Sequence, residues 1–186
     1  MDLKTIKRLL NQQTGSHSPL YFHLKERIDK KKYDYHELPY PEEFLIFEEE
    51  YLMIAKHLIL ENNALAVVDI GCHLGIQSEL FKDHFPYIGI DVHQADFFNQ
   101  GEKNVSYVAG KFPDCHIDLK NKVVISSMSL GFFYEDDFKD IAKALSKAKK
   151  VFFLGETELA NEIGLHFNKK HSFEPVTNLR NLWLFQ

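Results

Sequence analysis

The sequence is short of the residues that would place it in several functional classes at once. Of its 186 residues only two are cysteines, Cys72 and Cys115, and their separation matches no metal-ligand spacing. With so few thiols and no signal-type segment at the start, a reducing cytoplasm is the expected setting. No apolar run reaches the roughly 18 residues that a membrane span needs, so no membrane association is expected. Basic excess is missing too. Lys+Arg 22 against Asp+Glu 27 gives a net charge of −5, so a nucleic-acid role would need a local basic patch. The ten histidines are scattered, with no H-x-x-x-H and no paired C-x-x-C, and no metal is expected. Internal repeats and low-complexity segments are also lacking. What remains is an average globular balance, 45% hydrophobic and 26% charged, on a chain long enough for one core.

That core is organised around Ala66-Val67-Val68-Asp69-Ile70-Gly71-Cys72-His73-Leu74-Gly75. The run reads as a buried strand that ends in a carboxylate, breaks into a glycine turn and opens a helix with Leu74, Ile76, Leu80 and Phe81 as apolar positions. A continuous apolar strand implies a sheet covered on both faces, hence α/β architecture with parallel strands. The turn after such a strand is where an open sheet binds small molecules.

Ahead of it, residues 1–62 read as a helical preface. Leu3, Ile6, Leu9 and Leu10 suit one short amphipathic helix, and Ser18-Pro19 opens a second that runs to about Ile28. Lys30, Lys31 and Lys32 lead into Tyr33, Tyr35, His36 and Tyr40, an interleaving that could hold a nucleic acid strand. The acids that follow at once (Glu42, Glu43, Glu48, Glu49, Glu50) argue for a solvated helix end instead. Pro41 starts a stronger helix, with Phe44, Phe47, Tyr51, Ile54, Ala55, Leu58 and Ile59 at helical spacing.

From Leu65 onward strands and helices alternate. Strands are expected at 65–70, 87–91, 104–109, 122–127 and 151–154. Helices are expected from the glycine turn to about Phe85, around Phe138, Ile141, Ala142 and Leu145, and near 156–163. Two extended pieces, 165–174 and 180–186, read as a closing hairpin around Thr177-Asn178, with Trp183 and the tail phenylalanines in the core.

Two strand-terminal acids, Asp69 and Asp91, then flank one strand–helix–strand unit. An acid about 20 residues past a glycine turn stands at the end of the neighbouring strand, where it can accept hydrogen bonds from both ribose hydroxyls. The turn itself is Asp69-x-Gly71-x-x-x-Gly75, without the G-x-G-x-x-G of a dinucleotide site. A carboxylate there would repel a pyrophosphate and could receive an ammonium group. The ligand should carry adenosine at one end and a cation at the other.

At this point the chain resembles the class I S-adenosylmethionine-dependent methyltransferases over about residues 45–186. The resemblance rests on VVDIGCHLG, YIGID and KVVISSMSLGFF. It implies a Rossmann-like, doubly wound, mostly parallel seven-stranded sheet with an antiparallel last strand, here preceded by an N-terminal helical extension. The expected division is 1–40 as the extension, a lid or an interface, and 41–186 as the methyltransferase-like domain. The implied cofactor is S-adenosyl-L-methionine. By resemblance the methionine part falls to Asp69, Gly71, Cys72, His73 and Gly75, and the ribose to Asp91 with Val92 after it. Gly110, Lys111 and Phe112 follow the third strand, where Phe112 could stack on the ring, and Ser126 and Ser127 end the fourth beside the sulfonium.

The pattern departs from the family in places. His73 stands at the usual middle glycine, the acid often found after the third strand is missing, and there is no D/N-P-P-Y/F after the fourth. The implied reaction is methyl transfer by direct displacement to an acceptor that the sequence does not name. A small molecule is the first choice, with nucleic acid and protein acceptors left open and a homodimer face as another use for the preface. His93, His116, Tyr134 and Glu135 are the candidate general bases, each weak singly. The competing readings are a silent methyltransferase-fold module that binds a partner, and another enzyme that uses the same cofactor.

Overall fold

The computed structural model describes residues 4, 8, 11–12, 48–62, 64–72, 75, 77–92, 102–127, 129–132, 137–173 and 182–186. The helices expected before residue 41, the Thr177-Asn178 turn, and Leu74 and Ile76 lie outside the described residues. The chain divides into two compact units, Met1–Asn62 and Asn63–Gln186.

In the first unit, helix α1 spans Glu48–Glu61. Tyr51, Leu52, Ile54, Ala55 and Leu58 are buried, which is the stripe that the helical spacing predicts. His57 lies one turn from Glu61, with Nε2 3.0 Å from a carboxylate oxygen.

The second unit holds a seven-stranded sheet in the order β3-β2-β1-β4-β5-β7-β6. Its strands are β1 Val67–Ile70, β2 Tyr87–Asp91, β3 Val105–Ala109, β4 Val123–Ser127, β5 Lys150–Leu154, β6 Lys170–Phe173 and β7 Leu182–Phe185. The pairs from β3 through to β5 are parallel, whereas β7 runs antiparallel to both β5 and β6. The expected mostly parallel sheet with a reversed last strand is therefore present. Every residue of β1 and of β5 is buried, which is why both read as near-continuous apolar runs, interrupted by Asp69 and preceded by Lys150, rather than as alternating ones.

Among the described residues this unit also has three helices and a short 3₁₀ turn: α2 Ser78–Phe81, the turn Ser129–Phe132, α3 Phe138–Leu145 and α4 Thr157–Gly164. Helix α3 buries Phe138, Ile141, Ala142 and Leu145, the face read from its spacing. These join Val68, Ile70, Val124, Val151, Phe153, Leu159, Ile163 and Phe185 in one core. Each large apolar side chain buried there contributes about 1.5–3 kcal/mol.

Two expectations shift. Helix α2 ends at Phe81 rather than near Phe85, because Pro86 restricts Phe85 and the chain unwinds through turns beforehand. Its end is fixed instead by Lys82, whose ammonium donates to Glu79 (2.7 Å) and to Glu102 (2.8 Å), tying the helix to the segment before β3. Trp183 is only half-buried, with the Lys170 ammonium 4.2 Å from its ring centroid. A cation over the indole face covers surface that the core does not.

The chain runs outward along β1, β2 and β3, then returns to place β4 on the other side of β1. That reversal falls at the carboxyl ends of β1 and β4, the usual ligand position in sheets of this kind.

Candidate functional site

Gly71 follows β1 with φ at +73°, a conformation that side chains rarely adopt. It is also crowded. A Cβ at Gly71 would run into Cβ and Oγ of Ser129, which comes over from the 3₁₀ turn after β4. Ser129 Oγ donates to the Ile70 carbonyl (2.6 Å) and lies 3.0 Å from Ser126 Oγ. Since the Ser129 proton goes to Ile70, Ser126 is the donor of the second bond. A chain of two hydroxyls thus stitches the end of β4 to the end of β1.

The turn is held internally as well. The Gly71 and Cys72 N–H groups both donate to the Ile90 carbonyl (2.7 and 3.2 Å), the Gly75 N–H to Cys72 (2.8 Å) and the Ser78 N–H to Gly75 (2.9 Å). Gly75 is buried and takes φ +63°, the second point where the turn requires a glycine.

Beneath the turn lie the acids. Asp69 is fully buried, and its Oδ2 accepts a 2.6 Å hydrogen bond from the Tyr87 hydroxyl. Asp91 closes β2 with 9% exposure, and its carbonyl accepts from the Gly110 N–H (2.8 Å). Val92, directly after it, is 63% exposed, an apolar side chain left on the surface beside a buried carboxylate. Cys72 is buried, and burial followed by the charge on Asp69 raises its thiol pKa well above the ordinary value. It is a packed, protonated thiol rather than a nucleophile.

Among the described residues, Gln77 Oε1 before α2 and Ser127 Oγ at the end of β4 are buried and make no hydrogen bond. Such groups are few in folded proteins.

The fold thus gathers Asp69, Gly71, Cys72, Gly75, Asp91, Val92, Ser126 and Ser127 at the carboxyl ends of β1, β2 and β4, with Gly110 joined through Asp91. The other described candidates are Phe112, Lys111 and His116. Phe112 is 4% exposed and packs in the central core, Lys111 is exposed, and His116 is exposed with φ +49°. His73, His93, Tyr134 and Glu135 lie outside the described residues. Sequence reasoning missed Tyr87 and Tyr107, and it placed Ser129 with Ser126 and Ser127 at the end of the fourth strand without its contact to Gly71. Tyr87 carried a signal, since Tyr87, Gly89 and Asp91 alternate along one face of β2.

No protein-family model matches the chain, and no curated protein matches its sequence significantly. Solved structures do match. Magnesium protoporphyrin IX methyltransferase of Synechocystis PCC 6803 with bound SAM aligns at TM-score 0.62 and 15% identity, over 100% of this chain and 98% of its own. The same enzyme with bound SAH gives TM-score 0.60 and 12% identity, over 87% of this chain and 93% of that one. The N-methyltransferase NodS of Bradyrhizobium japonicum WM9 gives TM-score 0.59 and 14% identity, over 75% and 95%. The architecture is the class I methyltransferase fold.

Proposed function

We propose that this chain binds S-adenosylmethionine at the Gly71–Gly75 turn and transfers its methyl group to an acceptor by direct displacement. The observation that carries this reading is the pairing of that turn with Asp91 and exposed Val92 at the adjacent strand end. The residues fit the group. Asp91 accepts from the ribose hydroxyls, Val92 covers one face of the base, and Ser127 Oγ at the end of β4, unbonded in the free protein, takes its hydrogen bond from the cofactor. The positive φ of Gly71 and Gly75 keeps side chains off the turn. Asp69, fully buried and bonded to Tyr87, supports the turn from below and adds negative potential under a cation.

The sulfonium supplies an activated methyl group and a neutral leaving thioether. The protein's part is therefore to hold and align, and proximity and orientation account for much of the rate. A general base is required only where the acceptor must lose a proton. We assign acceptor choice to residues 1–40, as an extension of a methyltransferase-like domain at 41–186, and take a small molecule as the acceptor. The protein works in the cytoplasm. If removal of 1–40 left both folding and acceptor turnover unchanged, this assignment would fail.

A second reading has one observation in its favour: Ser129 fills the space over Gly71. A silent module that keeps the fold without turnover would tolerate such crowding. Calorimetric titration with S-adenosylmethionine and S-adenosylhomocysteine separates the two. Wild type binds both, and Asp91→Ala binds them more weakly by about 1.5–3 kcal/mol, the scale of hydrogen bonds to a charged group. A folded wild type that binds neither overturns the enzyme reading, and cofactor binding without methyl transfer to any acceptor class favours the silent one.

A further inference from the structure

The peptide that joins Ile70 to Gly71 is planar, with the Ile70 carbonyl at one pole and the Gly71 N–H at the other. Both poles are held. The N–H donates to the Ile90 carbonyl of β2 at 2.7 Å, and the carbonyl accepts from Ser129 Oγ at 2.6 Å. The two clamps come from opposite sides of β1, because β2 and β4 are its neighbours and Ser129 belongs to the turn after β4. A glycine at φ +73° has no side chain to resist rotation of this peptide, so the peptide's orientation rests on those two bonds.

The two sides are not tied alike. Toward β2 and β3 the Cys72 N–H also reaches the Ile90 carbonyl (3.2 Å), and the Tyr107 hydroxyl shares a hydrogen bond with the Cys72 sulfur. Ring and thiol meet across the gap left at Gly89, where a Cβ would lie 2.7 Å from the sulfur and 3.1 Å from the ring. Toward β4, beyond the strand ladder, the tie seen among the described residues is the Ser129 hydroxyl, to which Ser126 Oγ donates in turn. Ser127, whose Oγ is buried and unbonded, follows Ser126 directly.

We infer that Ser129 is a positioning residue: by holding the Ile70–Gly71 peptide, its hydroxyl sets the cofactor turn in its binding shape and keeps it aligned with Ser127 at the end of β4. The inference rests on the cofactor reading above. It makes Ser129 act through the turn, without touching the ligand, so that the free protein is already ordered for binding.

The test is Ser129→Ala, which removes one oxygen and leaves the Cβ over Gly71 in place. It is read by calorimetry with S-adenosylmethionine and by amide hydrogen exchange without ligand. The Kd should rise about three- to tenfold, the worth of one neutral hydrogen bond, and the Gly71 and Cys72 amides should exchange faster by a similar factor while the rest of the sheet keeps its protection. Ser129→Cys, a weaker donor of similar shape, should fall between the two, and it carries the test if the alanine variant does not fold. Unchanged affinity in a folded variant would overturn the inference, and weakened binding in Asp91→Ala would then leave the cofactor reading standing. Faster exchange throughout the sheet would also overturn it, by making Ser129 an ordinary packing group. If wild type itself does not bind, the cofactor reading falls and takes this inference with it.

Discussion

β1 and β5 are alike in burial, every residue of each being buried, and they part most clearly at their carboxyl ends. β1 carries a buried carboxylate and runs into a glycine with positive φ, with two serine hydroxyls reaching across to it. β5 runs through Val151, Phe152, Phe153 and Leu154 into Gly155, over which the Phe153 ring lies. Beyond it β7 adds Leu182, Leu184 and Phe185, all buried. One half of the sheet uses its strand ends for polar geometry and the other uses them for packing. The polar ends, those of β1 and β4, flank the point where the strand order reverses, so topology as well as strand composition decides which end carries chemistry.

The sharpest way to break this contrast is Gly71→Ala. The left-handed conformation costs on the order of 1–3 kcal/mol and overpacking against Ser129 about as much again, so a loss of at least about 3 kcal/mol is expected in chemical denaturation. A loss below about 1 kcal/mol would mean that the Ser129 contact yields easily and the β1 end is not the tight element described. Next in size is Tyr87→Phe. It takes a donor from a buried carboxylate and should cost about 1.5–3 kcal/mol. Unchanged stability would show that Asp69 does not depend on that bond.

A pH series sharpens the same corner. The unfolded Cys72 thiol ionises near its ordinary pKa of about 8.5, whereas the folded one holds its proton well above that. Above about pH 8.5 the unfolded state therefore binds fewer protons than the folded state. Stability should be level below that point and fall above it, by up to about 1.4 kcal/mol per pH unit from this group. Cys72→Ala should lessen the slope, Cys115 supplying a part of what remains because burial raises its pKa as well. An unaltered slope would place the effect elsewhere. The smallest change belongs to the packing half. In Gly164→Ala the new Cβ would lie 3.5 Å from Lys170 and Phe185, ordinary contact, and replacing a helical glycine should raise stability by about 0.5 kcal/mol. A loss of 1 kcal/mol or more there would make both halves equally intolerant and end the comparison.

Much of the fold was legible because burial on both faces writes itself as unbroken apolar runs, and β1, β2, β4 and β5 fall within a residue or two of where those runs lie. Helix α3 was legible through its four inward positions. The glycine turn and Asp91 were legible because turn and acid are close in sequence. Ser129 was not legible as the group that makes Gly71 obligatory, since that contact joins the ends of two strands far apart in the chain. Tyr107 was hidden for a similar reason: its reach depends on a missing side chain at Gly89 on the neighbouring strand. A glycine inside a strand does mark close approach, and YIGID held that clue without naming the ring that answers it.

The placement of β7 bears on the order in which the chain can fold. β6 is made first, yet among the described residues its partner is β7, which lies between it and β5. During synthesis β6 must wait for a later segment to dock on β5 before it has an edge to join. Until then the outer edge of β5, apolar from Val151 to Leu154, is uncovered on a nascent chain, the condition in which strand edges find wrong partners. The half of the sheet that carries no chemistry is in this way the half most exposed to misassembly.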